Sequence, residues 1–288
     1  MAQAKARKLQ VSNGHYLDFN HLARIIQSMQ SNSHDGVSMS FLAEDTGLPF
    51  RQVRNRISIG RALGIFTPSS LSLSPFGELV AQYDIFFEAV PTLEYAHYLA
   101  AGNYTNLIWF ELFNSHLFKQ TELTYDRLLE YFRSSLKNSY TEHSLKDHVG
   151  KEMRFLLDTY LVQNFRKLDI IHEDSTGHLF MRRRAAIEPK ILCASLYDFC
   201  IRRRTNLVQI KELVESAGSP AAVFQLEVNT VESLLGNLHD RNWLRYETTH
   251  GLDQIRLKPG FDAIEFVRSY YENRDPQQNG TQETTSNG

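Results

Sequence analysis

The chain has 288 residues, of which 42% are hydrophobic and 22% charged, with a formal charge of −2. That length holds one to three domains with a buried core. The neutral balance excludes a globally basic nucleic-acid coat but leaves room for a local patch. No run of about 18 apolar residues predicts a membrane span, and the N-terminal MAQAKARKLQ has no apolar stretch behind its basic residues. The expected location is cytoplasmic.

DFNHLARIIQSM places Phe19, Leu22, Ile25, Ile26 and Met29 at helical spacing behind Asp18 as N-cap. SFLAEDTG follows as a short helix, begun by Ser38 or Ser40 and ended by Gly47. Pro49 stands where a helix tolerates proline in its first turn. The helix it opens runs to about Leu63 and is closed by Gly64. IFTPSSLSLSPFG then reads as extended segments around a Pro-Ser-Ser turn. This succession predicts a winged helix-turn-helix over residues 9–80.

Residues 81–190 read as a central helical domain. PTLEYAHYLAAG starts with proline and stops at glycine, and NLIWFELFNSHLF is apolar almost all round, as a central helix would be. TYDRLLEYFRSSL and VGKEMRFLLDTYLVQNF are amphipathic. KLDIIHEDSTGHLFMRRR predicts a hairpin turning at Asp174 to Gly177.

Residues 191–274 read as a second, winged-helix-like domain. NLVQIKELVESAG is a helix stopped at Gly218, and NTVESLLGNLHDRNW is the next, with Asn229 as N-cap. Its apolar stripe is Val231, Leu234, Leu235 and Leu238. WLRYETTHGLDQIRLKP alternates like two strands around His250-Gly251, and FDAIEFVRSYYENR is a last helix. Residues 275–288, DPQQNGTQETTSNG, read as a disordered tail. The fold class is mainly α: an N-terminal winged helix-turn-helix, a central helical region with a β-hairpin, and a second winged-helix-like module. Cys193 and Cys200 lie seven apart in an apolar helical stretch without C-x-x-C, and read as buried reduced thiols.

The candidate chemistry concentrates in GLPFRQVRNRISIGRALGIF, which carries four arginines and no acid. At about 100° per residue, Phe50, Val53, Ile57, Gly60 and Gly64 share a core side. Arg51, Arg54, Asn55, Ser58 and Arg61 fall opposite. A helix-turn-helix sends that outward face into the major groove, where arginine can fork onto guanine and asparagine onto adenine. The competing reading is a solvated face, or a winged helix used for protein contact. The second module carries Glu232 and Asp240 beside Arg241 and reads first as structural or partner-binding.

Two further clusters, Arg182, Arg183, Arg184 and Arg202, Arg203, Arg204, are either a phosphate-binding strip or solvated helix ends. HEDSTGH, His172 to His178, gathers two histidines and two carboxylates, yet it is also ordinary turn chemistry. No metal site is predicted from it. His15 with Asp18, and His143 with His148, have no hydrolytic spacing, and no phosphate-binding loop, nucleophile elbow or zinc-protease motif occurs.

Several segments in order resemble a bacterial family of unknown function that includes the SspB component of single-strand DNA phosphorothioation defence systems. They are GHYLDFNHLARI, LAEDTGLPFRQVRNRISIGRALGIF, LSPFGELV, PTLEYAHYLAAGNYTNLIWFELFN, EMRFLLDTYL and LDIIHEDSTGHLFMRRRAAIEPKILCASLYDF. The resemblance implies a DNA-associated antiviral-defence protein. Its partners would be a sulfur-transfer enzyme, a cysteine desulfurase and an ATPase. The chain departs from the family pattern after Gly14-His15 and at LVQNFRK, so no catalytic residue is carried over. The expected function is a DNA-binding accessory protein needing no cofactor. The alternatives are a nicking enzyme of the same pathway requiring a divalent metal, a winged-helix regulator, and an interaction scaffold. A homodimer is left open.

Overall fold

A computed structural model describes residues 7–32, 37–115, 123–249 and 252–278. α1 (Phe19–Ser31) starts where the Asp18 carboxylate accepts from the His21 N–H, satisfying one orphan donor of the first turn. It buries Leu22, Ile25, Ile26 and Met29. α2 (Met39–Thr46) is capped by Ser38 and stopped by Gly47 at φ 65°, a conformation that glycine adopts without strain. α3 (Phe50–Ala62) follows Pro49, which stands at the N-cap, one position earlier than predicted.

Residues 65–74 return as an extended strap with one antiparallel bridge, Phe66 to Leu73, in place of a two-stranded wing. Two backbone bonds hold it, Thr67 N–H to the Ser72 carbonyl and Ser74 N–H to the Ile65 carbonyl. α4 (Pro75–Tyr83) opens behind Ser74. A Cβ at Gly77 would stand 2.0 Å from the Ile65 carbonyl oxygen, so α4 rests directly on the strap's backbone.

The central region runs through α5 (Val90–Ala101), α6 (Leu107–Asn114), α7 (Tyr125–Leu136), α8 (Glu142–Ser144), a π turn (Leu145–Val149), α9 (Gly150–Leu161) and a 3-10 turn (Asn164–Leu168). A polar junction lies in its interior. The Tyr160 hydroxyl accepts from Trp109 Nε1 at 2.9 Å and meets His97 Nδ1 at 2.5 Å. His97 Nε2 faces the Val223 carbonyl at 3.0 Å. Burial pushes His97 down to about 3, so the neutral ring accepts at Nδ1 and donates at Nε2. The predicted hairpin forms from β1 (Ile171–Glu173) and β2 (Leu179–Met181), antiparallel, with Ile171 opposite Met181.

α10 (Pro189–Arg203) buries both free cysteines. After it come β3 (Leu207–Gln209), α11 (Ile210–Glu215), α12 (Pro220–Val223), α13 (Val228–Asp240), β4 (Leu244–Thr249), β5 (Leu252–Leu257) and α14 (Ala263–Tyr271). The start of NLVQIKELVESAG is a strand and not a helix. Val208 pairs with Ile255, giving the sheet order β3-β5-β4. Short apolar runs fit either period, and here an open strand edge decides the outcome. α13 is preceded by Glu227 at the cap, so Asn229 lies inside the helix. His250 and Gly251 lie outside the described residues, as do 279–288 of the predicted tail. The first tail residues are held, with Pro276 buried and the Gln277 N–H donating to Glu265 Oε1 at 3.1 Å.

One apolar core runs from Leu9 to Val267 through all three predicted segments. α14 packs on both α10 and α4, and α5 packs on α6, α10 and α12. Gly77→Ala should lower stability by about 1–3 kcal/mol, because the overlap is with backbone and no rotamer relieves it. A urea unfolding midpoint equal to wild type contradicts this seating of α4.

Candidate nucleic-acid interface

α3 is covered on most of its circumference. Val53, Ile57, Ile59, Ala62 and Leu63 are buried, and so are Asn55 and Arg56. Along one face Arg51, Arg54, Ser58 and Arg61 stay exposed or half-exposed, spaced three, four and three apart. Phe50, predicted on the core side, is 50% exposed, because the first residue of α3 lies beyond the turns that pack. Asn55, predicted outward for base reading, is fully buried, and its Oδ1 accepts from Asn13 Nδ2 at 3.1 Å. A turn at residues 11–15, which helical periodicity does not locate, folds over that side of α3.

Glu152 of α9 holds this turn. Its buried carboxylate accepts from the Val11 N–H at 2.9 Å, the Ser12 N–H at 3.1 Å and the Ser12 hydroxyl at 2.7 Å. Burial pushes its pKa up to about 6, against the pull of those donors. Asn13 and Gly14, at φ 51° and 80°, then reverse the chain. His15 emerges close enough to Arg56 and Arg51 to feel both. Its pKa is lowered, by burial first and those guanidinium charges next, so the ring is neutral at pH 7.

Arg51 and Arg54 are exposed and form no ion pair among the described residues. Arg61 is committed to the strap, with Nε donating to the Thr67 carbonyl at 3.1 Å and Nη2 to the Ser70 carbonyl at 3.0 Å. The acidic side chains of the α2–α3 pair are Glu44 and Asp45, exposed at the end of α2.

The other arginine clusters are largely matched to carboxylates. Arg182 pairs with Asp169, Arg183 with Glu227, Arg184 with Glu94, Arg202 with Asp198 and Arg203 with Glu212. Arg204 alone of the six is exposed without an acidic partner among the described residues. The pairs of Arg182, Arg183 and Arg203 are superficial, and such pairs contribute about 0–1 kcal/mol. Arg184 is different. Its side chain and that of Glu94 are 12% and 2% exposed, and it also donates to the Leu168 carbonyl at 3.1 Å. Burial pushes Glu94 up to about 7 while Arg184 draws it down. Arg202 likewise bonds the Gly102 carbonyl at 3.0 Å and the Tyr98 hydroxyl. Arg184 therefore holds the interior together and is not available to phosphates.

In the hairpin, His172 Nε2 lies 2.9 Å from Asp169 Oδ1, and His178 Nδ1 lies 3.6 Å from Asp174 Oδ2. Asp174 Oδ1 accepts from the Thr176 and His178 N–H groups, which is turn chemistry. His143 faces Asp147 at 3.4 Å. Among the described residues, no three His, Cys, Asp or Glu side chains gather where a metal could bind, and no helix is long and apolar enough to cross a membrane.

The family model described as protein of unknown function DUF4007 matches residues 61–271, beginning in the last turn of α3. No curated protein matches the sequence. Two solved structures match over 91% of this chain and 87% of theirs, each with a TM-score of 0.71. One is SspB with magnesium bound, 14% identical, and the other is SspB, 16% identical. Likeness at that identity is likeness of fold. The magnesium is the relative's and assigns no ligand to this chain.

The arginine assignments predict opposite outcomes for two substitutions. Arg184→Ala should cost about 3 kcal/mol or more by stranding the buried Glu94. Arg204→Ala should stay within about 0.5 kcal/mol. Equal urea midpoints for the two variants contradict the assignment.

Proposed function

The chain belongs to the DUF4007 family, and on that premise we propose that it is an SspB-like accessory protein of a bacterial DNA phosphorothioation system that contacts DNA through α3. One observation carries the reading. On a helix mostly packed into the protein, Arg51, Arg54 and Ser58 stay at least partly uncovered, and among the described residues no carboxylate neutralises the two arginines. α2, the Gly47 turn and α3 act as a helix-turn-helix, with residues 65–74 as its wing.

In this mode Arg51 and Arg54 fork onto guanine edges or phosphates, and Ser58 donates to either. Asn55 plays no part in base reading. Arg61 acts indirectly, by holding the wing against α3. Arg204 supplies a further phosphate contact, and Arg182, Arg183 and Arg203 can exchange weak surface pairs for phosphates. Arg184 and Arg202 leave the DNA set. The protein works beside a sulfur-transfer enzyme, a cysteine desulfurase and an ATPase, as antiviral defence requires, and positions DNA for them.

Fluorescence anisotropy with a labelled duplex tests this. Arg51→Ala/Arg54→Ala should weaken binding at least tenfold with stability unchanged. It should also make the slope of log affinity against log salt shallower by about two, one for each lost phosphate contact. Wild-type affinity and slope in the double variant contradict contact through α3.

A further inference from the structure

Arg56 occupies an unusual position for a charged group. It is the one arginine in the buried class among the described residues, 6% exposed, and its Nε and Nη1 have no hydrogen-bond partner. Among the described residues no carboxylate lies within ion-pair distance. Asp18, whose charge it feels, is committed to the His21 N–H and faces the His21 ring at 3.2 Å. Several other arginines of the fold meet an acid, as the pairs of Arg7, Arg184, Arg202 and Arg274 illustrate. A guanidinium taken out of water without a counter-charge destabilises the fold unless something external supplies the charge.

A neighbouring donor also lacks an acceptor. Asn55, next to it on α3, is fully buried with Nδ2 unpartnered. Its Oδ1 is already taken by Asn13 of the overlying turn. His15, from the same turn, is near Arg56 and Arg51 and is kept neutral, so one ring nitrogen carries a proton to donate. The donors come from two elements, α3 and the turn at residues 11–15. A carboxylate offers two oxygens in one plane, which match the guanidinium fork. A tetrahedral anion has oxygens for all three.

We propose that Arg56, Asn55 and His15 form a receptor for a single phosphate group, closed over by the Glu152-anchored turn. The anion enters as Asn13 and Gly14 swing away, and Asn55 Nδ2, Arg56 and His15 then donate to phosphate oxygens while Asn13 Nδ2 returns to Asn55 Oδ1. Whether the phosphate is free or belongs to a nucleic-acid backbone, the chemistry of capture is the same. The site does not require that α3 reads DNA.

Thermal unfolding of the full chain tests it, with inorganic phosphate in one arm and an oligonucleotide lacking terminal phosphates in the other. Sodium chloride of equal ionic strength is the control. Wild type should gain about 3 °C or more in at least one arm beyond the control, and Arg56→Gln should gain nothing. Without any added anion, Arg56→Gln should unfold at or above the wild-type temperature, because an unpaired buried charge has been removed. A response to inorganic phosphate identifies a free anion, and a response to oligonucleotide alone identifies a backbone phosphate. The proposal is overturned if wild type responds to neither. It is also overturned if the variant responds equally, or if the anion-free variant is several degrees less stable, as loss of a merely structural arginine would make it. If inorganic phosphate binds but the oligonucleotide does not, DNA contact through α3 fails and the receptor stands.

Discussion

The Glu152 carboxylate binds the backbone and side chain of a turn 140 positions earlier in the chain, and the environment of α3 depends on that attachment. Burying a carboxylate is costly unless its lone pairs are occupied. Here Val11 and Ser12 supply three donors, two from the backbone and one hydroxyl. The turn so fixed covers the Asn55 side of α3, while the Phe66 strap and α1 help to cover the rest. The uncovered face of the helix is thus what remains after the turn, the strap, α1 and α2 have packed.

That subtraction gives the exposed arginines their meaning. A protein with nearly balanced charge can neutralise most of its cations internally, and this one pairs Arg7, Arg182, Arg183, Arg184, Arg202 and Arg203 with carboxylates. Arg51 and Arg54 are left out of that pairing on a rigid helix, where a groove or a phosphate could reach them. A net charge of −2 conceals this, because a sum over the chain carries no information about which charges are already spoken for.

Local signals in the sequence were accurate where the deciding partner lies nearby. Asp18 caps α1, Gly47 ends α2, and Asp174 to Gly177 turn the hairpin, each set by residues within four positions. Helical periodicity also placed Val53 and Ile57 in the core. It failed at Asn55, whose covering turn lies 42 positions away, and at Phe50, whose exposure depends on where packing begins. The triple arginines looked alike in the sequence because the partners of Arg183 and Arg184, Glu227 and Glu94, are distant in the chain. Asp198, one turn before Arg202, was the visible exception. Nothing in the sequence distinguishes Arg56 from the other three arginines of its segment, and only its burial without a partner sets it apart.

Photo-cross-linking of the full chain to a duplex carrying photoreactive bases, followed by peptide mass spectrometry, tests the placement of the interface most directly. Contact through α3 predicts cross-links within residues 50–61. Cross-links confined to the segments around 182–184 and 202–204, with none in α3, contradict it.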